Sequence, residues 1–413
     1  MGAQSVLISG AGVAGPTLAF WLNAAGFATT LVERAPGLRA GGYVIDFWGL
    51  GYDIVERMGL ADALEAIGYH IREFRVVGDR GERVAGFGVT GLYSLAGGRF
   101  ITVPRSGLSR LLFEKAAPHT EIMFGDQIAA IHEEADAAHV EFERAPARRF
   151  DLVIGADGLH SKVRELVFGP EARFEKDLGY AIAAFEAEGY RPRDDDVYVV
   201  HNKPGAMVGR VALRGDRTLF LLIFTSDGGA APQHIDAQKA VLREIYRDGG
   251  WECPQILDRL DAVSELYFDR VSQVRMERWS KGRVALVGDA AFCVSLAAGQ
   301  GSALAMTAAY ALAGELKKAP GQHEQAFRAY ETLLRPYIGV KQRGAERFST
   351  AFAPRTEWGL KARNLIVNAL ALPGVGRFVI GRGLVDTLAL PDYAWPPVMR
   401  DATPDCPAGS LST

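Results

Sequence analysis

The chain is constrained most by the run Gly10-Ala11-Gly12-Val13-Ala14-Gly15. The apolar residues 5–8 precede this run and the apolar residues 17–25 follow it, so the run joins a buried strand to a helix. Residues 29–32 form a second strand-like stretch that ends at Glu33, 23 positions after Gly10. This order of strand, turn, helix and strand predicts a βαβ unit in a parallel sheet.

The three glycines of this turn meet separate physical needs. Gly10 allows a tight turn, Gly12 lets the backbone approach a pyrophosphate, and Gly15 lets the helix pack closely on the strand. The helix N-terminus then directs free N–H groups and its positive dipole end at the phosphates. Glu33 is placed to accept hydrogen bonds from a ribose hydroxyl. These residues predict a dinucleotide site for NAD or FAD, and a glycine-rich turn in an unrelated α/β protein is the alternative.

Two further strand-like stretches end in an aspartate beside small residues. Residues 151–154 lead into the turn Gly155-Ala156-Asp157-Gly158, and residues 283–287 lead into Gly288-Asp289-Ala290. The triplet Gly299-Gln300-Gly301 follows the second aspartate. A carboxylate at the end of a buried strand can bind sugar hydroxyls, while its small neighbours let the backbone come close to the sugar.

In this order and spacing, the three motifs resemble those of the single-component FAD-dependent aromatic hydroxylases, the class typified by para-hydroxybenzoate hydroxylase. The resemblance covers residues 1 to about 320. The stretch from Glu33-Arg34 through Arg39 and Gly41-Gly42 to Asp46 is similar to the tetracycline-inactivating branch of that class. The resemblance implies that the chain binds FAD and uses NAD(P)H as a transient electron donor.

The resemblance also implies individual roles. Arg34 lies near the adenine, which the backbone of Ile128 also contacts, and Arg105 contacts FAD from the start of a helix. Asp157 serves both FAD and the visiting nicotinamide nucleotide, and Asp289 binds the ribityl and pyrophosphate region. Arg39 and Asp46 match positions near NADPH and the flavin. The complete set of implied cofactor-binding residues is Gly10, Gly12, Ala14, Gly15, Glu33, Arg34, Arg39, Asp46, Arg105, Ile128, Asp157, Asp289, Gly299, Gln300 and Gly301.

The activity implied by the resemblance is hydroxylation of an aromatic or polycyclic small molecule with NAD(P)H and dioxygen, through a flavin C4a-hydroperoxide. No side chain is predicted as a catalytic acid or base, because the flavin carries the chemistry; Arg105 is a candidate for positioning the flavin. A helix that begins near Gly301 would stabilise the negative charge of the reduced flavin. An FAD-dependent reductase or dehydrogenase without oxygen transfer is one alternative, and a non-enzymatic flavin-binding sensor is another.

The predicted fold class is α/β, with a Rossmann-like FAD-binding domain interleaved with an antiparallel β-sheet substrate domain and followed by a C-terminal helical region. The FAD domain is expected at residues 1–72, 98–175 and 275–320. The substrate domain is expected at residues 73–97 and 176–274, and the helical region at residues 321–413. Aromatic and sulfur side chains of the predicted sheet are candidates for the substrate pocket, although the strand alternation leaves their direction open: Phe185, Tyr198, Met207, Phe220 and Phe224.

Composition excludes several other classes of protein. The 46 basic and 49 acidic side chains leave a net charge of −3, which favours neither nucleic acid nor an anionic membrane. The three cysteines, Cys253, Cys293 and Cys406, are far apart and form no metal or disulfide pattern, so we expect a cytoplasmic protein without a metal site. The uncharged residues 290–314 contain glycine and many alanines and are expected to be buried beside a ligand rather than in a membrane. A monomer or a homodimer is expected.

Two positions depart from the usual pattern of the hydroxylases. Phe292 stands where related chains have His, and Leu296 stands where they have Pro. The loop that shapes oxygen access beside the flavin is therefore expected to differ. Gly381-Arg382-Gly383 lacks a third glycine and a distant acid, so a second dinucleotide site is not expected there.

Overall fold

A parallel sheet brings the glycine turn and both aspartate motifs to one edge. The computed structural model describes residues 3–39, 41–89, 98–229, 231–372 and 386–396. The 18 strands in these ranges are β1 (Ser5–Ser9), β2 (Ala28–Glu33), β3 (Val44–Trp48), β4 (Glu73–Val77), β5 (Arg83–Gly88), β6 (Phe100–Pro104), β7 (Thr120–Phe124), β8 (Ile128–Glu133), β9 (Ala138–Phe142), β10 (Arg148–Phe150), β11 (Leu152–Gly155), β12 (Glu175–Glu188), β13 (Val197–Lys203), β14 (Ala206–Leu213), β15 (Arg217–Thr225), β16 (Tyr267–Val274), β17 (Ser280–Lys281) and β18 (Val284–Leu286).

The first sheet has the strand order β17-β18-β11-β1-β2-β7. All of its neighbouring strands are parallel except the edge strand β17. The carboxyl ends of β1, β2, β11 and β18 therefore lie along the same edge, and the turns that follow them carry Gly10, Asp157 and Asp289. In open α/β sheets, ligands bind at this edge.

The second sheet has the order β16-β12-β15-β14-β13-β4-β5. Its strands are antiparallel, as predicted, except that β4 pairs with β13 in parallel. Residues 73–77 come from a distant part of the chain, and local sequence patterns do not define the direction of such a pairing. Smaller sheets are formed by β10, β9 and β8 and by β3 and β6.

Helices cover both sheets. Outside the ranges that are not described, the α-helices are α1 (Ala14–Ala24), α2 (Leu50–Arg57), α3 (Ala61–Ile67), α4 (Arg105–Ala116), α5 (Lys162–Phe168), α6 (Ile235–Tyr246), α7 (Cys253–Arg259), α8 (Asp289–Phe292), α9 (Gly301–Lys318), α10 (His323–Phe352) and α11 (Glu357–Ala369), with short 3-10 turns at Ala117–His119, Glu171–Arg173, Leu260–Ala262 and Leu296–Ala298.

Helix α9 explains the uncharged segment. Almost every residue from Ala303 to Gly314 is buried, because α9 packs against α1, α2 and α10 in the main core. Within the described ranges, no helix is long and apolar enough to cross a membrane. The segment is therefore core, as expected from its alanines and glycines.

The C-terminal region is helical through α11, but residues 386–396 contain neither helix nor strand. This stretch returns to the main core, where the Tyr393 hydroxyl donates to Glu315 at 2.8 Å and the ring of Trp395 lies 4.8 Å from that of Trp21. Gly381-Arg382-Gly383 and Cys406 lie outside the described residues. The predicted domain limits stay a prediction.

Candidate active site

A continuous cavity of about 2690 Å³ lies between the ligand-binding edge of the parallel sheet and one face of the antiparallel sheet. Gly15 and Ile128 are not among the residues that line it, although their neighbours Ala14, Asp126 and Gln127 are. The predicted cofactor residues that line the cavity are Gly10, Gly12, Ala14, Glu33, Arg34, Arg39, Asp46, Arg105, Asp157, Asp289, Gly299, Gln300 and Gly301.

The glycine turn has room for a pyrophosphate only at its centre. Gly10 has a φ of +108°, and a Cβ there would lie 2.6 Å from the carbonyl oxygen of Ala156. A Cβ at Gly15 would lie 1.9 Å from the carbonyl oxygen of Gly10, so this glycine permits the close packing of α1 on β1. A Cβ at Gly12 would meet no atom within 4 Å. The backbone at Gly12 therefore lies open to the cavity, as the binding of a pyrophosphate requires.

The Glu33 carboxylate is hydrogen-bonded to the backbone of the glycine turn. Its Oε2 accepts the backbone N–H of Ala11 at 2.9 Å, and its Oε1 accepts the N–H of Ala35 at 2.9 Å. A carboxylate has about four lone-pair sites, so both oxygens keep acceptor capacity for ribose hydroxyls. The carboxylate thus fixes the turn and is also available to a nucleotide.

Asp157 is bonded mainly within its own turn. Ser161 donates its hydroxyl to Oδ1 at 2.5 Å, and the backbone N–H of Val163 donates to Oδ2 at 3.1 Å. Ser161 in turn caps α5 by accepting the N–H of Arg164 at 3.0 Å. Burial raises the pKa of Asp157, while these donors oppose the rise. The residue orders the start of α5, and its contact with nucleotides stays a prediction.

Asp289 and Arg105 both line the cavity, at the N-terminal residues of α8 and α4, and their charges affect each other. Burial raises the pKa of Asp289, which the Arg105 charge and a hydrogen bond from the Cys293 thiol oppose. The Arg105 guanidinium lies 5.8 Å from the ring centre of Tyr43, and the ring centres of Tyr43 and Tyr267 are 5.3 Å apart. The sequence analysis missed this aromatic pair, because its members come from distant segments of the chain.

The N-terminus of α9 lines the cavity near Asp289, since a Cβ on Gly301 would lie 4.0 Å from Oδ1 of that residue. Gln300 is the N-cap residue, its side chain makes no capping bond, and the first turn contains no acidic residue. Gly299, Gly301 and Ser302 line the cavity beside it. The first N–H groups of a helix have no acceptor within the helix, so this end of α9 can stabilise negative charge in the cavity.

A hydrogen-bonded group of three side chains connects β3 and β6 to the antiparallel sheet. Thr102 donates its hydroxyl to Oδ1 of Asp46 at 2.6 Å, and Tyr198 donates to the same oxygen at 3.3 Å. Burial raises the pKa of Asp46, and the two hydroxyls oppose that rise. Burial also raises the pKa of Tyr198 well above its ordinary value. Asp46 is therefore a half-buried carboxylate with neutral partners in the cavity wall.

The antiparallel sheet presents an apolar wall. Tyr198 and Met207 line the cavity, whereas Phe220 and Phe224 point to the opposite face and pack against α6 and α7. Phe185 reaches the cavity, but its ring lies 5.1 Å from that of Phe220 in the same helix-side cluster. Wall residues that the sequence analysis did not name are Phe74, Phe87, Leu178, Ile182, Leu219, Leu221 and Ile223.

The two departures from the hydroxylase pattern have different consequences. Phe292 is buried, and its ring lies 4.7 Å from that of Trp279, so it fills core space rather than the cavity. Leu296 lines the cavity and contacts the apolar cluster on the cavity face of the antiparallel sheet. Only Leu296 therefore changes the surface that a ligand meets.

A second cluster of reactive side chains lies elsewhere. His201 Nε2 is 2.9 Å from Asp79 Oδ1, and its Nδ1 is 4.0 Å from Cys253 Sγ. Burial raises the pKa of the Cys253 thiol to about 11, so it is protonated at neutral pH and is a poor nucleophile. Among the described residues, no group of His, Cys, Asp and Glu side chains is placed to hold a metal ion.

The fold and the cavity define an FAD-binding α/β protein, and comparison with known proteins agrees. The FAD binding domain family matches residues 3–334, and the chain belongs to this family. A flavin-dependent monooxygenase from an unknown prokaryotic organism is 34% identical over 343 residues, covering 82% of this chain and 88% of its relative. The chain is thus an FAD-dependent monooxygenase.

Two further proteins are similar to most of this chain. An uncharacterized protein of Mycobacterium tuberculosis is 39% identical over 342 residues, which are 82% of this chain and 92% of that protein. The crystal structure of the tetracycline destructase Tet(55) superposes with a TM-score of 0.80 at 30% identity, covering 95% of this chain and 99% of that one. The likeness to the tetracycline-inactivating branch, inferred from Arg39, Asp46 and their neighbours, is confirmed.

Proposed function

We propose that this monooxygenase uses NAD(P)H and dioxygen to hydroxylate an aromatic or polycyclic small molecule. The observation that carries the proposal is the continuity of the cavity from Gly12 to Met207. Its volume, about 2690 Å³, exceeds the roughly 300–1,000 Å³ of a pocket for one drug-sized ligand. A cofactor and a large substrate can therefore occupy it together.

When bound, FAD would accept hydride from NAD(P)H, activate dioxygen and supply one oxygen atom to the substrate. The residues of this chain would bind and orient the two ligands. Gly12 and the N-terminus of α1 would hold the pyrophosphate, Glu33 the adenosine ribose, and Asp289 the ribityl region. The N-terminus of α9 would stabilise the negative charge of the reduced cofactor without reorganisation.

NAD(P)H is proposed as a short-lived visitor to the same cavity. Asp157, Arg39 and Asp46 line the cavity and are the residues that we assign to it. A nucleotide that binds briefly, reduces the flavin and leaves requires few dedicated contacts.

The substrate is proposed to be planar and polycyclic. Leu178, Ile182, Leu219, Leu221 and Ile223 form an apolar part of the wall. Aromatic side chains at Phe74, Phe87 and Tyr198 can pack against fused rings. The similarity to the tetracycline destructase Tet(55) supports a polycyclic substrate. Tetracycline is therefore the first compound to test.

The test is to incubate the purified holoenzyme with NADPH or NADH, isotopically labelled dioxygen and tetracycline or other polycyclic compounds. The masses of the products are then measured by mass spectrometry. Purified protein should be yellow and release FAD rather than FMN, because FMN has no adenosine ribose for Glu33. Product that carries one labelled oxygen supports the proposal. NAD(P)H oxidation without incorporation into any compound would favour a reductase, and the absence of both would favour a flavin-dependent sensor.

A further inference from the structure

Helix α11 forms the wall of the cavity beside the far end of β13, and it is firmly attached to the antiparallel sheet. Val367 packs with Val76 and Ala85, while Asn368 accepts the N–H of Gly86 and donates to the carbonyl of Val84, each at 3.2 Å. The residues of α11 that line the cavity are Gly359, Ala362, Arg363, Ile366 and Val367. Arg363 is therefore held in place on a wall that is otherwise apolar.

The guanidinium of Arg363 has one neutral partner. Its Nη2 donates to Oδ1 of Asn202 at 2.7 Å. Its Nε is buried and contacts no acceptor in the described part of the chain. Burial lowers the pKa of Arg363, and no carboxylate among the described residues opposes the effect. A guanidinium withdrawn from water without a counter-charge is costly for the fold.

Three other arginines that are drawn into the interior have carboxylate partners. Arg164 lies 3.2 Å from Glu171, Arg210 lies 2.8 Å from Glu252, and Arg270 lies 2.7 Å from Glu175. Arg363 differs from these three and faces a ligand cavity. A planar guanidinium is the side chain best suited to bind a carboxylate or another anionic oxygen group.

We propose that Arg363 binds an anionic oxygen group of the substrate, so that this monooxygenase selects acidic polycyclic compounds over neutral ones. This inference rests on the proposed function, because it places the substrate against the antiparallel sheet. The substrate's negative group pairs with Arg363 while its rings lie on the apolar wall. A few placed polar groups in an apolar pocket commonly fix a ligand's orientation in this manner.

The experiment measures equilibrium binding of matched acids and amides to the FAD holoenzyme, through the change in flavin fluorescence. The probes are naphthalene-2-carboxylate, anthracene-2-carboxylate and anthraquinone-2-carboxylate, each beside its carboxamide. The wild-type protein should bind at least one acid about tenfold or more tightly than its amide, as expected for a charge-assisted hydrogen bond in a sheltered site. Arg363→Gln should remove this preference by lowering the affinity for the acid alone, and Arg363→Lys should restore part of the preference.

Lys361→Gln is the matched control. Lys361 is an exposed cation on the same helix, 5.4 Å from the ring centre of Trp358, and it does not line the cavity. This variant should keep the wild-type preference for acids. Its FAD content, measured by absorbance, should match that of Arg363→Gln and of the wild type.

Three results would overturn the proposal. The first is a wild-type protein that shows no preference for any acid over its amide. The second is an equal loss of affinity for acid and amide in Arg363→Gln, which would indicate a packing role. The third is a variant that binds acids normally but loses affinity for NADPH and not NADH, because Arg363 would then bind the nucleotide phosphate. Failure of oxygen incorporation would instead contradict the proposed function and leave the measured acid preference unaffected.

Discussion

The hydroxyl of Tyr198 lies 3.3 Å from Oδ1 of Asp46, so a side chain from the middle of the antiparallel sheet donates to a carboxylate on β3. The donor stabilises the ionised form of Asp46 against the opposing effect of burial. The pair therefore links the proposed substrate wall to the protonation state of a carboxylate near the proposed flavin site.

Removal of the Tyr198 hydroxyl should raise the pKa of Asp46 further. We expect Tyr198→Phe to shift the acidic limb of the pH profile for NAD(P)H-driven flavin reduction toward higher pH, with the rate at high pH retained. Stopped-flow absorbance of the flavin over a pH series measures this shift. Tyr180→Phe is the control, because the Tyr180 hydroxyl faces the carbonyl of Ala353 at 3.4 Å instead of a carboxylate. An unchanged limb in both Tyr198→Phe and Asp46→Asn would show that Asp46 does not titrate in this step.

Alanine substitutions at Gly12 and Gly15 should harm the protein for different reasons. Gly15→Ala places a methyl group 1.9 Å from a backbone oxygen, so it should lower the free energy of unfolding of the apoprotein, by about 1–3 kcal/mol for overpacking. The methyl group of Gly12→Ala meets no protein atom within 4 Å, so this variant should leave the free energy of unfolding unchanged. It should lower the affinity for FAD about tenfold or more. Denaturant unfolding of the apoprotein and FAD titration separate the two effects. Equal destabilisation by both variants would contradict the assignment of Gly12 to the pyrophosphate.

Glu33 should affect both FAD and the stability of the turn. Glu33→Ala removes the acceptor of the Ala11 and Ala35 N–H groups as well as the proposed acceptor of the ribose. The expected loss of FAD binding is about 1.5–3 kcal/mol, the usual value for hydrogen bonds to a charged group. FAD titration and thermal unfolding of the apoprotein measure the two parts. Glu121→Ala, on the neighbouring strand β7 and paired with Arg148, is the control that should leave FAD affinity intact.

The glycine turn and Glu33 were predictable because their chemistry is local: a positive φ, a close approach and a helix start all lie within a few residues. The parallel pairing of β1 with β2 follows from the same βαβ unit. The pairing of Asp46 with Tyr198 was not predictable, because it joins residues 152 positions apart. Strand alternation separates Leu219 from Phe220, but it does not reveal which of the two faces the cavity, and here it is Leu219.

Single residues whose role depends on tertiary neighbours were missed for a related reason. Ser161, four positions after Asp157, is a cap signal that could have indicated the bond between the two side chains. Arg363 has no comparable signal. An arginine in a helix is ordinarily solvated. Only the packing of α11 on the sheet reveals that this one is withdrawn from water, with no carboxylate partner in the described ranges.

His160 bridges two carboxylates and should make the stability of the protein depend on pH. Its Nε2 lies 3.2 Å from Asp269 and its Nδ1 lies 3.1 Å from Glu171, and these contacts, chiefly the one with Asp269, raise the pKa of His160 to about 9 from an ordinary 6.5. Because the folded pKa is the higher one, the stabilisation is complete below about pH 6.5 and is lost as the pH rises through about 9.

The corresponding variant is His160→Gln. The difference in melting temperature between the wild type and this variant should stay constant below about pH 6.5 and shrink between about pH 6.5 and 9. Since the imidazole is partly exposed, high salt should reduce the difference. A difference that grows with pH would contradict this account of the bridge.

Asp289 and Arg105 both line the cavity and influence each other's pKa, but they are assigned to different tasks. Asp289 begins α8 at the ligand-binding edge, and its carboxylate is assigned to the FAD hydroxyls. Asp289→Ala should therefore reduce FAD affinity about tenfold or more, the usual effect of losing a charge-assisted hydrogen bond. Arg105 stands beside the ring of Tyr43 and is assigned to the position of the flavin, so Arg105→Ala should retain much of the FAD yet slow its reduction by NAD(P)H.

Absorbance of the bound flavin and stopped-flow reduction measure both quantities for each variant. Arg105→Lys is informative because it keeps the charge opposite Asp289 but loses the planar guanidinium beside Tyr43. If charge alone matters, the flavin of Arg105→Lys should be reduced at the wild-type rate. If the planar group is required, flavin reduction in Arg105→Lys should be as slow as in Arg105→Ala. Equal loss of FAD in Asp289→Ala and Arg105→Ala would make Arg105 a second cofactor anchor. Normal FAD content and normal reduction in Arg105→Ala would remove Arg105 from the mechanism.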